Sequence, residues 1–227
     1  MSETPPKAEL MRSLRRLVRG LSLLFWGLPL ALLVCVRTSV SEWLRPFGVV
    51  PPIAANILLF YGLIQLGYFQ RQERVWVHAL DRAKLLAVVN IGLSPFVFWW
   101  NQLPQVPFYH LAVALLMLSG LLFLFNLNFV LQRLAAMLPD ETLRIETRFF
   151  TSFNLYLLVG VVSSVAIYIG LQQYQNVPWV LAHVFQADEN TRHWLLVFSI
   201  LLPLAMTMTL IWKIKEVVLA SVFEGAT

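Results

Sequence analysis

Long apolar runs alternate with short polar segments along the whole chain. The clearest case covers residues 108–171, where two apolar runs flank Pro139 and Asp140. No charged residue occurs at positions 111–132 or 149–171. About 20 apolar residues cross a bilayer as a helix, and proline ends a helix because its ring clashes with the preceding turn. The pattern therefore predicts an antiparallel helical hairpin that crosses a membrane twice and has a charged tip.

Similar runs elsewhere predict an all-α integral membrane protein with six transmembrane helices. The runs outside the hairpin cover residues 21–36, 53–69, 85–100 and 194–212. The basic residues Arg71, Arg74 and Arg82 predict a loop at 70–83, between the second and third spans. Before the first run, arginines alternate with apolar residues at helical spacing, which is typical of a helix on a membrane surface. The predicted organisation is a basic amphipathic segment at 1–20, a six-span membrane domain at 21–219 and a short tail at 220–227.

Composition supports a membrane protein rather than a soluble one. Apolar residues make up 59% of the chain and charged residues only 13%, whereas soluble domains have about 45–50% and about 25%. A net charge of +5 could indicate nucleic-acid binding in a soluble protein. Here the basic residues flank apolar spans, so no nucleic-acid partner is predicted and the bilayer is the expected partner.

The distribution of basic residues predicts the orientation. Of 17 Lys and Arg residues, 14 fall on the side of the N-terminus and 3, namely Arg37, Arg45 and Arg192, on the opposite side. Basic residues are enriched in cytoplasmic loops. Both termini and the hairpin tip are therefore expected in the cytoplasm, as in a multi-pass protein of a bacterial inner (plasma) membrane.

Polar residues inside the spans are neutral. Tyr61, Gln65, Asn90 and Asn154 are candidates for a substrate path, although polar side chains in lipid also form hydrogen bonds between helices. No acid or base lies in the core of a predicted span, which argues against a proton-driven pump. The sequence leaves open whether these residues line a path or hold helices together.

A weak internal similarity provides the alternative of a small transporter or channel. Asn56 and Gly62 have the same spacing as Asn154 and Gly160, and the next span in each half contains a proline, Pro95 or Pro203. Three spans per half would make two inverted repeats, an arrangement found in transporters.

Catalytic and cofactor motifs are not recognisable in the sequence. His110, His183 and His193 fall on the predicted outer side and are weak metal-ligand candidates without the close spacing of known sites. There is no phosphate-binding glycine loop and no nucleophile motif. The sequence predicts a non-enzymatic protein without a cofactor.

The charged tip is the best candidate for contact with a partner. Spans four and five extend past the membrane before they meet, and Asp140, Glu141, Arg144 and Arg148 are the partner-contact candidates. We expect an accessory or scaffold protein that meets a cytoplasmic or membrane protein here, with anionic lipid headgroups as the other target. A turn at Pro139 would also place Arg133 level with Glu146, and Asn126 level with Asn154.

The orientation can be tested with cysteines introduced as Gln105→Cys, Asp140→Cys and Asn190→Cys. In intact cells a membrane-impermeant thiol reagent is expected to label positions 105 and 190 but not 140, because only the first two face outward. The unaltered chain, which contains Cys35 alone, is the control. Labelling at 140 from outside, or no labelling at the other two when lysed cells label normally, would contradict the predicted orientation.

Overall fold

The fold was analysed in a computed structural model of the chain. The structure describes residues 6–40, 42–69, 73–138, 141–173 and 189–224. Within these ranges every regular element is a helix and no strand occurs. The predicted all-α class is therefore confirmed for the described part of the chain.

Seven α-helices follow one another in these ranges. They are α1 (Pro6–Val40), α2 (Val50–Leu66), α3 (Arg74–Leu93), α4 (Pro95–Gln102), α5 (Pro107–Ala136), α6 (Glu141–Gln173) and α7 (Glu189–Glu224), with a short 3-10 helix at Glu42–Phe47 between α1 and α2. Proline begins or nearly begins α2, α4 and α5, where its missing N–H would have no helical partner in any case.

Three stretches of the described residues are helical, long and apolar enough to cross a membrane. They are Met11–Val40 in α1, Arg74–Gln102 across α3 and α4, and Pro107–Ala136 in α5. The apolar helix α2 is shorter, at 17 residues. The chain is therefore a helical protein with apolar helices suited to a membrane, whereas the count of six spans and the cytoplasmic termini stay predictions.

The first helix is longer than the predicted first span. α1 runs without interruption through residue 20, so the basic segment and the first span share one helix axis. Leu17, Leu21 and Leu24 are fully buried in the core on one face. Arg12 and Arg19 lie exposed on another face. Burial of the leucine face keeps this segment in the bundle.

Part of the predicted loop at residues 70–83 is helical instead. α3 begins at Arg74, and its buried face is formed by Trp76, Leu80, Ala83 and Ala87 at helical spacing. The Trp76 indole N–H donates to the Phe69 carbonyl at 3.1 Å. Of the basic residues that suggested a loop, Arg74 and Arg82 are on the exposed face, so this part of α3 is amphipathic rather than irregular.

Two helix pairs, α1 with α2 and α3 with α5, have the most extensive contacts in the bundle. α1 also packs on α4 and α7, while α5 contacts α4, α6 and α7. At the α1–α2 crossing a Cβ atom on Gly20 would lie 2.9 Å from the Gly62 carbonyl oxygen. The two backbones approach closely because neither residue has a side chain.

The glycine crossing can be tested with Gly20→Ala. Its methyl group would force α2 away, so we expect a loss of about 1–3 kcal/mol in the free energy of unfolding, measured by denaturation in mixed micelles. Gly120→Ala is the control, since nothing lies within 4 Å of a Cβ atom there. Equal stability of the two variants would exclude a tight α1–α2 crossing.

Candidate functional site

Three buried polar side chains from three helices meet where α5, α6 and α7 pack together. They are Asn128 of α5, Asn154 of α6 and Thr207 of α7, each fully buried. With the Pro203 carbonyl they form a cluster that we call the polar junction. Inside an apolar bundle a polar side chain must bond to protein groups, and these three bond to one another and to backbone carbonyls.

The Thr207 hydroxyl is the centre of the polar junction. It accepts hydrogen bonds from the Asn128 amide at 3.0 Å and from the Asn154 amide at 2.9 Å. It donates to the Pro203 carbonyl at 2.8 Å. A hydroxyl has one donor and two acceptor lone pairs, so all of its hydrogen-bonding capacity is used.

Each asparagine amide also makes a second bond. Asn128 donates to the Leu124 carbonyl of its own helix at 2.8 Å, and Asn154 donates to the Pro203 carbonyl at 3.2 Å. The amide oxygens of both asparagines remain buried without a partner, as do the hydroxyls of Thr147 and Thr151. The junction thus uses its amide donors and leaves acceptor oxygens free.

The buried face of α6 continues from the junction toward its first residue. Thr147, Thr151, Asn154 and Leu158 are all buried and recur every three or four residues. Beyond Thr147, the Glu146 carboxylate pairs with the Lys213 ammonium of α7, which also lies 5.4 Å from the centre of the Phe150 ring. Polar contacts therefore connect α6 and α7 over about two turns, from Asn154 to Glu146.

A surface groove lies between the end of α5 and the start of α6. Its volume is about 370 Å³, and the lining residues are Phe129, Gln132, Arg133, Ala136, Arg144 and Arg148. We call it the tip groove. The Arg144 guanidinium donates to the Ala136 carbonyl at 3.2 Å across the groove. Among the described residues, three arginines and no acidic side chain line it, so this part of the groove is basic.

The four predicted substrate-path residues do not bond to one another. Tyr61 is 46% exposed, whereas Gln65, one turn later, is buried beside Gly20 of α1. Asn90 is buried and its side-chain oxygen has no partner. Asn154 belongs to the polar junction. These residues therefore have four different environments.

The positions compared in the predicted repeat also differ. Asn56 donates to the Pro52 carbonyl of its own helix and also contacts the Cys35 side chain of α1, whereas Asn154 donates to the Pro203 carbonyl of α7. A Cβ atom on Gly62 would lie 3.1 Å from Leu24, while one on Gly160 would meet nothing within 4 Å. The similar spacing in the sequence does not correspond to similar packing.

The level pairs predicted for the hairpin have other partners. Glu146 pairs with Lys213 rather than with Arg133, and Asn126 donates to the Leu122 carbonyl of its own helix. It is Asn128 that reaches Asn154, through Thr207. The reason is that α7 packs against α6 and α5 and supplies partners that a two-helix hairpin does not have.

The weak metal candidates do not form a site among the described residues. His110 is exposed, its Nδ1 is 3.4 Å from the Val106 carbonyl, and its ring packs edge-on against Trp100. His183 lies outside the described residues, as does the side chain of His193. The partner-contact candidate Asp140 also lies outside them. In the ranges that the structure describes, no three His, Cys, Asp or Glu side chains converge.

The polar junction is tested by Thr207→Val, which keeps the shape of the side chain and removes the hydroxyl. Two buried amides then lose a partner, so we expect the free energy of unfolding in mixed micelles to fall by about 1–2 kcal/mol. Thr209→Val is the matched control, because the exposed Thr209 hydroxyl donates to Ala205 of its own helix. If both variants lose the same amount, the junction does not hold the helices together.

Comparison of the chain with protein families, with curated proteins and with solved structures finds no match. Any proposal about its function therefore has to be argued from the residues and their geometry.

Proposed function

We propose that this chain is a six-span, non-enzymatic protein of a bacterial inner membrane, with cytoplasmic termini, that acts as an accessory or scaffold component. Its hairpin tip would contact a partner protein in the cytoplasm or membrane. One observation carries the proposal. At the start of α6 two large apolar side chains are exposed among charged ones, with Ile145 72% and Phe149 69% accessible.

The surroundings of these two residues make their exposure informative. Glu141, Arg144 and Arg148 are also exposed, and they lie on either side of Ile145 along α6. Exposed apolar side chains within a charged surface are typical of protein contact sites, where apolar anchors are ringed by polar residues. Glu141, Arg144 and Arg148 would form the charged part of the contact.

The start of α6 is also held in place. The Glu146–Lys213 pair and the packing of Lys213 on Phe150 join it to α7, and the polar junction lies about two turns further along. A contact surface on a fixed helix loses little conformational entropy on binding, which favours affinity. The start of α6 would therefore present its exposed residues in a fixed position relative to α7.

The transporter alternative receives less support. It requires matching halves and a common polar path, but Tyr61, Gln65, Asn90 and Asn154 have separate environments. The hydrogen bonds of Asn154 are those of a residue that joins helices, which is the ordinary role of asparagine in lipid. We therefore place these residues in packing and not in transport.

The scaffold proposal is tested by Ile145→Ser combined with Phe149→Ser. Removal of two apolar anchors is expected to reduce the amount of partner that co-purifies in mild detergent by about tenfold or more, since anchor residues carry much of the binding energy. The matched control is Phe47→Ser combined with Val50→Ser. These residues have similar exposure, at 62% and 64%; Phe47 precedes α2 and Val50 is its first residue, on the predicted outer side.

Both double variants should insert normally, because the spans are unchanged. The proposal predicts that quantitative mass spectrometry finds a partner protein that co-purifies with the unaltered chain and with the control variant but is lost from the tip variant. The scaffold function would be contradicted if the tip variant kept every co-purifying protein and its cells grew like those with the unaltered chain. A loss in both variants would mean that the tip is not the contact site.

A further inference from the structure

The tip groove has the chemistry of an anion site. We propose that it binds the phosphate of an anionic phospholipid headgroup from the cytoplasmic leaflet. The inference goes beyond the proposed partner contact and rests on the proposed cytoplasmic orientation of the tip. The groove shares Arg144 and Arg148 with that contact, but the apolar anchors Ile145 and Phe149 do not line it.

Charge is the first argument. Arg133, Arg144 and Arg148 line one groove, and in the described ranges no carboxylate lies within ion-pair distance of any of them. The neighbouring Glu146 is engaged by Lys213. Three like charges close together repel one another, so an anion between them would be stabilised by all three.

Local helix electrostatics compensate these arginines only in part, through Glu141 in the first turn of α6. Arg144 lies in the first turn of α6, where the helix dipole disfavours a positive charge. Arg148 follows one turn later, where two like charges repel. The same helix start favours a bound anion. The arrangement is therefore unfavourable for an isolated α6 and favourable for an α6 with a phosphate beside it.

The geometry suits a phosphate group. A guanidinium carries five N–H donors, and the Arg144 bond to Ala136 uses one of its nitrogens and fixes the side chain across the groove. The other nitrogens remain available for phosphate oxygens. Arginine binds phosphate through parallel hydrogen bonds, and a volume of about 370 Å³ is ample for a headgroup phosphate.

The position of the groove favours a lipid over a soluble phosphate compound. Phe129 lines the groove one helical turn before Arg133, on the part of α5 that belongs to an apolar membrane-crossing stretch. The groove thus changes from apolar to basic within the last two turns of this stretch, which ends at Ala136. Basic pockets between membrane helices at the cytoplasmic surface bind anionic lipid headgroups.

Native mass spectrometry of the full-length protein in mild detergent tests the inference directly. Phosphatidylglycerol is expected to remain bound at concentrations at which phosphatidylcholine does not. The triple variant R133Q/R144Q/R148Q should weaken phosphatidylglycerol binding by about 100-fold, because each basic residue near an anionic lipid strengthens binding by about fivefold. The control R12Q/R15Q/R19Q removes three exposed arginines from α1 and should retain the lipid.

Further variants separate the possible outcomes. R133K/R144K/R148K keeps the charge and is expected to retain most of the binding, which would exclude misfolding as the cause of a loss in the glutamine variant. I145S/F149S should bind phosphatidylglycerol normally, so a failed partner contact and a failed lipid site are distinguishable. Equal binding of the two lipids, or an equal loss in the α1 control, would overturn the inference. Displacement of the lipid by millimolar inorganic phosphate would also overturn it, since the site would then take free phosphate.

Discussion

A hydroxyl that accepts hydrogen bonds from two amides inside an apolar bundle is the interaction on which the arrangement of the last three helices depends. In lipid an amide has no water to bond with, so it must find a partner in the protein. Thr207 offers one oxygen to Asn128 and Asn154, from two different helices. The bonds can all form only if α5, α6 and α7 have one relative position. Apolar packing alone would permit several, since lipid tails and leucine side chains are equally apolar.

The polar junction also fixes what lies beyond it. From Asn154 the buried face of α6 passes through Thr151 and Thr147 to Glu146, which reaches Lys213 of α7. This series of contacts holds the start of α6 against α7. Arg144 and Arg148 are thereby held near Arg133 at the end of α5, and Ile145 and Phe149 are left exposed. The proposed partner contact and the proposed lipid site therefore both depend on the same helix placement.

The sequence predicted the type of structure because the length of an apolar run indicates a helix that can cross a membrane, and proline marks where a helix begins or ends. It did not predict which polar residues face inward. Asn126 and Asn128 lie two positions apart on α5, as do Thr207 and Thr209 on α7. Two residues turn a helix by about 200°, so one member of each pair is directed to the bundle and the other away from it. Both runs are apolar on every face, so periodicity cannot decide which.

Partners were harder to predict than positions. A two-helix hairpin offers Glu146 only Arg133, whereas the structure brings Lys213 from 67 residues away. In α3 the charged residues suggested a loop, but Trp76, Leu80 and Ala83 form a buried face that keeps the segment helical. In both cases a third helix supplies the surface that decides the outcome, and such long-range packing leaves no local pattern.

A double-mutant cycle on Asn154 and Thr207 is the most direct test of the central role of the polar junction. The free energies of unfolding of the unaltered chain, Asn154→Val, Thr207→Val and the double variant would be measured in mixed micelles. If the two side chains stabilise the helix placement through each other, their coupling energy should be about 1 kcal/mol, within the range found for hydrogen bonds between membrane helices. Additive effects, with a coupling energy of about zero, would contradict this account.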